Sequence, residues 1–303
     1  MDHELRKRGT GISIRSRERA GIALALVTAA AFALSNASAS LAYQGGSNPL
    51  TVAAFRFVPP AVALIVWLRA GGVSLALPAR DGWIAAALGA VTAVYTWALL
   101  SAIGMIPLAL AILVFYLFPL IASIILAVCG WERLRWPIAA AIVLAFIGLA
   151  LALDPHGGKL DAGGVLLAGV AAIGLGTVIA VSSRLFRSGD SRPVTFYIAV
   201  VAGAMLIAFC VAHGAFALPR TGLGWTGFVG TSVLYAFAMI GFFIAISMIG
   251  PTRASLLSYA EPVIAAALGV IMLGEMLVPI QIAGIALVIA ALIGATLWRP
   301  QLH

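Results

Sequence analysis

Glu261 is a carboxylate set inside an apolar stretch that runs from residue 252 to residue 273. At 1.5 Å per residue it lies about 13 Å from the start of that stretch, near the middle of a hydrocarbon core about 30 Å thick. An ionisable group at that depth costs about 2.5–3.5 kcal/mol or more, and it faces protein or a water-filled cavity rather than lipid. Three roles suit it. It can hold the ammonium group of a substrate, carry a proton in coupled transport, or steady its own helix through hydroxyls or Arg56.

Other chemistry-bearing residues recur at helical spacing. A step of 100° per residue puts Ser255, Ser258 and Tyr259 on one third of a helix surface, with Glu261 at its edge. The same geometry gathers Ile112, Phe115 and Tyr116 on an earlier helix, Thr92, Tyr95 and Thr96 on another, and Tyr235, Met239 and Phe242 on a third. These faces predict a cavity with aromatic walls and a few hydroxyls, suited to a small amphipathic metabolite. Interhelical packing through the same hydroxyls is the competing reading. The candidate substrate-binding residues are therefore Tyr95, Thr96, Tyr116, Tyr235, Ser258, Tyr259 and Glu261. Trp97 points about 160° away from Tyr95, so only one of the two can face the cavity, and the polar neighbours favour Tyr95. Arg56, about 9 Å inside the opposite face, is expected to snorkel outward as an anchor rather than bind substrate.

Pro119 and Pro262 are candidate gating positions. Each lacks a backbone donor and frees the carbonyl four residues earlier, at Phe115 and Ser258 respectively. Inside a membrane a freed carbonyl needs a neighbouring helix or a cavity to satisfy it.

The elements that position these residues are dictated by composition. With 63% hydrophobic and 9% charged residues and a mean hydropathy of +1.13, the 303-residue chain carries far more apolar side chain than a soluble core could hide. The fold class is all-α and integral to a membrane. Apolar runs of spanning length lie near 20–43, 50–68, 82–103, 107–129, 137–153, 164–184, 193–214, 225–247, 252–273 and 279–297, which makes ten transmembrane helices. The first follows a basic tail as a signal sequence would, but it is about 20 residues long and no small-residue cleavage site leads from it into a soluble domain, so it is expected to remain as a helix.

The net charge of +8 is sorted by side. Six basic residues fall in the segment 1–19 and nine more in alternate loops and the C-terminal segment, with only Lys159 and Arg220 on the other face. Fifteen of eighteen on one side is the positive-inside pattern, so both termini are expected in the cytoplasm of a cell whose inner membrane holds the protein. Nucleic acid is not the expected partner; membrane lipids are. Six of the seven Trp residues fall at span ends or in loops, as an interfacial belt requires.

Residues 102–132 and 245–275 are the same segment written twice, 143 positions apart, with eleven identities in 31 positions, including Tyr116/Tyr259, Pro119/Pro262 and Glu132/Glu275. The chain divides into a basic tail, 1–19, and two five-helix repeats, 20–153 and 164–297. Five is odd, so the second repeat must insert upside down. Inverted repeats can exchange conformations, one opening inward as its twin opens outward, and so support alternating access around a midplane site. Glu261 has Phe118 as its counterpart, so one carboxylate breaks the symmetry.

These residues resemble the EamA-type transporters of the drug/metabolite transporter superfamily. The resemblance rests on the two five-span halves, on Pro107 and Pro119 in the fourth span, and on Arg56-Phe57 in the second. It rests equally on Tyr259-Ala-Glu-Pro262, Leu273-Gly-Glu275 and Gln281-Ile-Ala-Gly284. The first half is looser, with Gly130-Trp-Glu132 where the family more often shows a Gly-Glu pair. The resemblance implies export or exchange of small metabolites, amino acids prominent among them, through a cavity lined chiefly by spans 1, 3, 4, 6, 8 and 9. A lipid flippase or a passive pore is the alternative. An enzyme is not expected, because His3, His156, His213 and His303 are scattered, and neither they nor Cys129 and Cys210 make a ligand cluster; no metal or cofactor is expected. Small residues at Ala286, Ala290 and Gly294 form a stripe fit for packing within the chain or for a weak homodimer, so a monomer and a weak homodimer both remain open.

Overall fold

A computed structural model describes the backbone of residues 2–103, 105–106, 108–153, 161–187, 190–273 and 278–297. Pro107 and Glu275, with Lys159, Trp298 and Arg299, lie outside the described residues. The described residues form thirteen α-helices and no strand: α1 Asp2–Gln44, α2 Pro49–Phe55, α3 Val58–Ala70, α4 Ala79–Ile103, α5 Leu108–Phe115, α6 Phe118–Val128, α7 Trp136–Leu153, α8 Ala162–Arg187, α9 Ser191–Ala212, α10 Gly222–Ile249, α11 Pro251–Leu257, α12 Ala260–Leu273 and α13 Pro279–Leu297. Among them seven stretches are long and apolar enough to cross a membrane, some built from two consecutive helices. The shorter apolar helices Trp136–Ala152 and Pro279–Gly294, and the pair α11–α12, occupy the other places where the sequence predicts spans. Large apolar side chains such as Val128, Leu166, Val211 and Val66 stand outward, as lipid-facing residues do.

Thirteen helices arise where ten spans are expected because three spans break in the middle. Each break lies just ahead of proline: at Arg56-Phe57 before Pro59-Pro60, at Tyr116-Leu117 before Pro119, and at Ser258-Tyr259 before Pro262. Two of these follow from Pro119 and Pro262, and the first was not expected. The residues at the breaks stay near helical geometry (Phe57 φ −83°, ψ −15°; Leu117 φ −70°, ψ −13°). Their bonds tighten locally to the i→i−3 type: Leu117 N–H donates to Val114 at 3.1 Å, and Glu261 N–H to Ser258 at 2.9 Å. The second of these satisfies the carbonyl that Pro262 frees.

The helices of the two halves correspond at the 143-residue offset: α1 with α8 from residue 19 onward, α4 with α10, and α7 with α13. Packing follows the same correspondence. α1 lies against α10, and α8 lies against α4; α12 lies against α1, and α6 against α8; α7 and α13 lie against each other. The first helix of each half thus leans on the third helix of the other. Glycine permits the closest of these approaches. A Cβ on Gly284 would sit 2.4 Å from the Ala152 nitrogen and 2.5 Å from the Gly148 oxygen, so α13 and α7 meet backbone to backbone. The stripe of Ala286, Ala290 and Gly294 lies elsewhere on α13, exposed, and does not make this contact.

Hydrogen bonds cross between the halves at both ends of the bundle. At one, Thr252 donates to Glu132 at 2.9 Å and Arg253 to Glu18, beside a cleft of about 260 Å³ lined also by Arg133, Arg135 and Ile138. At the other, the side chains of Ser47 and Asn48 donate to the carbonyls of Ala217 and Ala215, both at 2.7 Å.

Candidate substrate site

The three broken spans deliver their polar residues to one place. Arg56 ends α2, about 10 Å along from Pro49, and Glu261 stands in the first turn of α12, about 15 Å along from Pro251, so both lie deep in the apolar layer. Asn36 meets them from α1, its side-chain amide donating to Glu261 Oε1 at 2.9 Å. The Tyr116 hydroxyl and the Arg56 guanidinium are the other groups that act on the Glu261 carboxylate. Tyr95 and Tyr235 interact with each other and lie in the field of Arg56.

Aromatic rings enclose this group on two sides. Tyr235 packs on Phe57 and Phe32 with ring centroids 5.3 and 5.6 Å away, and Phe32 continues to Phe242 at 6.4 Å. On the other side Phe115 bridges Tyr95 and Tyr116 at 6.4 and 6.0 Å. Trp97 is exposed on the outer face of α4 while Tyr95 turns inward, as the polar neighbours of Tyr95 imply.

Of the seven predicted site residues, Tyr95, Tyr116, Tyr235 and Glu261 converge directly. Thr96 is buried beside Tyr95. Ser258 is not directed to the cluster: its hydroxyl donates back to the Ser255 carbonyl at 2.6 Å, the usual resort of a serine inside a helix. Tyr259 is fully buried, and its hydroxyl donates to the Tyr116 carbonyl at 2.7 Å, with the two rings 5.5 Å apart. Tyr259 therefore ties the break of one half to the break of the other. Tyr116 and Tyr259 are also counterparts at the 143-residue offset.

Arg56 departs from expectation. It does not snorkel outward; its guanidinium lies 4.3 Å over the Tyr235 ring, and its Nε is buried without a partner. Among the described residues its side chain forms no hydrogen bond and no ion pair, Glu261 included. A desolvated cation–π contact contributes about 2 kcal/mol, whereas an Arg at the centre of a span costs about 2.5–3.5 kcal/mol by insertion scales and more by other measures. The ring offsets part of that cost and leaves the Nε–H donor unsatisfied.

Asn36 was missed altogether. The available signal was an amide in the middle of an otherwise apolar run, and it belongs to a longer pattern. Asn36, Ser40, Tyr43 and Gln44 are exposed at i, i+4, i+7 and i+8 on α1, about 180° from the apolar stripe of Val27 and Leu34. A helix that exposes opposite faces, one apolar and one polar, meets lipid with the first and water with the second.

The corresponding place in the repeat is different in kind. The counterparts of Asn36, Arg56 and Glu261 are Ile179, Ala199 and Phe118, all apolar and 0%, 0% and 3% exposed. One of two related positions is polar and partly open; the other is filled.

A profile of the EamA-like transporter family matches residues 19–153 and again 162–297, one match on each half. The chain belongs to the EamA-like transporter family. It is an integral membrane transporter of small solutes, from a family of transporters rather than enzymes, and the duplicated organisation of its sequence is that of two tandem family units. A solved crystal structure resembles it with a TM-score of 0.75 and 25% identity, over 93% of this chain and 98% of that one. No curated protein sequence matches it.

Proposed function

We propose that this EamA-family protein is a secondary transporter that exports or exchanges small metabolites, amino acids first among them, across the inner membrane. It does so by alternating access between two inverted five-helix repeats, with ten spans and both termini in the cytoplasm. The observation that carries this reading is the Glu261–Asn36 pair, a carboxylate and an amide joined deep in the apolar layer and partly open along a polar face of α1. A carboxylate at that depth is costly, and one partly open beside a polar face is placed to meet a solute.

Reciprocal packing of α1 on α10 and α8 on α4 supports two interlocked, related units, as rocking between repeats requires. The proline breaks supply the bends. The polar face runs from Asn36 toward Gln44, whereas the Glu18 end is held by the Arg253 and Thr252 contacts. This pattern fits a site open away from the basic side.

Flux of labelled amino acids into proteoliposomes, with and without an imposed pH gradient, tests the proposal. Saturable flux that Glu261→Gln abolishes is the expected result. A rate indifferent to the gradient removes proton coupling, and full transport by Glu261→Gln removes any role for the carboxylate. Unsaturable conductance or scrambling of lipid headgroups would replace this reading with the pore or the flippase. Reporter fusions should place Glu132 and Glu275 on opposite sides of the membrane; the same side for both would end the inverted-repeat mechanism.

A further inference from the structure

We infer that Arg56 and Glu261 are the two poles of one zwitterion site, in which Arg56 receives the carboxylate of an amino acid and Glu261 with Asn36 receives its ammonium group. The inference rests on the transport reading above and assigns the chemistry of its site.

Arg56 is the unusual member. A guanidinium presents five donors in a planar fork that matches a carboxylate, and a buried donor left unpaired is costly. In this protein the fork rests on the face of Tyr235 at 4.3 Å, which takes up its charge from one side but accepts none of its hydrogen bonds. Its Nε is buried without a partner, and no carboxylate of the described residues pairs with it. An arginine that served only the fold would be expected to close on Glu261, the opposite charge whose field it already shapes. The two remain apart, and a solute carrying both charges spans the interval in the favourable sense.

The other pole is already organised. Asn36 donates to Glu261 Oε1 at 2.9 Å, which fixes one carboxylate oxygen and leaves lone pairs for an ammonium. Phe32, Phe115 and Tyr95 beside the poles offer apolar and aromatic surface for the remaining part of the solute. Neither a plain amine nor a plain carboxylate satisfies both ends.

Binding is measured apart from transport, by the thermal shift of the purified protein in detergent. L-alanine, L-leucine and L-phenylalanine are the zwitterions; the most strongly bound is then compared with its decarboxylated amine and its deaminated acid. The wild-type protein should bind the zwitterion at least about tenfold more tightly than either single-charge analogue, the worth of one charge-assisted contact. Arg56→Gln should erase the preference over the amine while leaving amine binding within about twofold, and Glu261→Gln should erase the preference over the acid. Arg56→Lys, which keeps the charge and loses the fork, should restore part of the preference. Three results overturn the assignment: no shift from any of the three amino acids, equal binding of zwitterion and amine by the wild-type protein, or an equal loss for zwitterion and amine in Arg56→Gln. The wild-type comparison stands even if the Arg56 variants fail to fold. Flux without this selectivity would refute the site and keep the transporter; selectivity without flux would do the reverse.

Discussion

Replacing Tyr259 by Phe removes one oxygen from the point where the two halves are tied together. Its hydroxyl donates to the Tyr116 carbonyl at 2.7 Å from a side chain with no exposure, so no water can substitute for it without repacking. In water a buried carbonyl left unsatisfied costs about 1–3 kcal/mol. Hydrogen bonds between membrane helices contribute less, about 0.6 kcal/mol on average and about 1.7 at most, because the separated helices find other partners. The second range governs here, since both groups belong to broken spans. At about 2.1 cal/mol/K of unfolding entropy per residue, a 303-residue chain shifts by about 1.6 °C per kcal/mol, so Tyr259→Phe should lower the melting temperature of the purified protein by about 1–3 °C. Tyr116→Phe is the matched control. Its hydroxyl acts on Glu261, and the carbonyl that accepts from Tyr259 belongs to its backbone, so this variant keeps the tie and should instead reduce solute binding. If the two substitutions shift stability equally, or if Tyr259→Phe costs binding without stability, Tyr259 lines the site and the tie is incidental.

Two further outcomes follow from the packing. Gly284→Ala places a Cβ within 2.5 Å of backbone atoms of α7 and should destabilise the protein by about 1–3 kcal/mol, whereas Gly294→Ala, with nothing within 4 Å, should be neutral; thermal unfolding in detergent compares them. Thr252→Val cuts the bond to Glu132 at the end where Arg253 meets Glu18, and should raise labelling of cysteines introduced in the adjoining cleft, with unchanged labelling defeating the view that this contact holds that end shut.

What the sequence revealed, and what it hid, divides along physical lines. Helix identity, duplication and the prolines of the fourth and ninth spans were legible because hydropathy, a fixed offset and a missing N–H are local properties of the chain. The break before Pro59 carries the same local signal, two prolines in succession, but no matching proline stands at the repeat position to draw attention to it. The direction of Arg56 was not legible, since a long side chain at that depth can turn toward the interface or toward a ring on another helix, and only the placement of Tyr235 decides. The acceptors of the Ser258 and Tyr259 hydroxyls were not legible for a related reason: helical spacing gives the face a hydroxyl occupies, not the acceptor it finds. Asn36 was hidden because one amide barely alters the hydropathy of a 29-residue span.

The repeat also frames why chemistry gathers at one of two related places. Two related halves create two related places, and an aqueous site at both would open a continuous polar path through the bundle. Here Phe118, Ala199 and Ile179 fill one place with buried apolar side chains, while Glu261, Arg56 and Asn36 occupy the other. Duplication supplies the matched bends at Pro119 and Pro262, and divergence at these three positions confines polarity to a single site. The proposed alternation of the two halves needs both features, since the bends must be alike for the exchange and the site must be single for the solute to be held once.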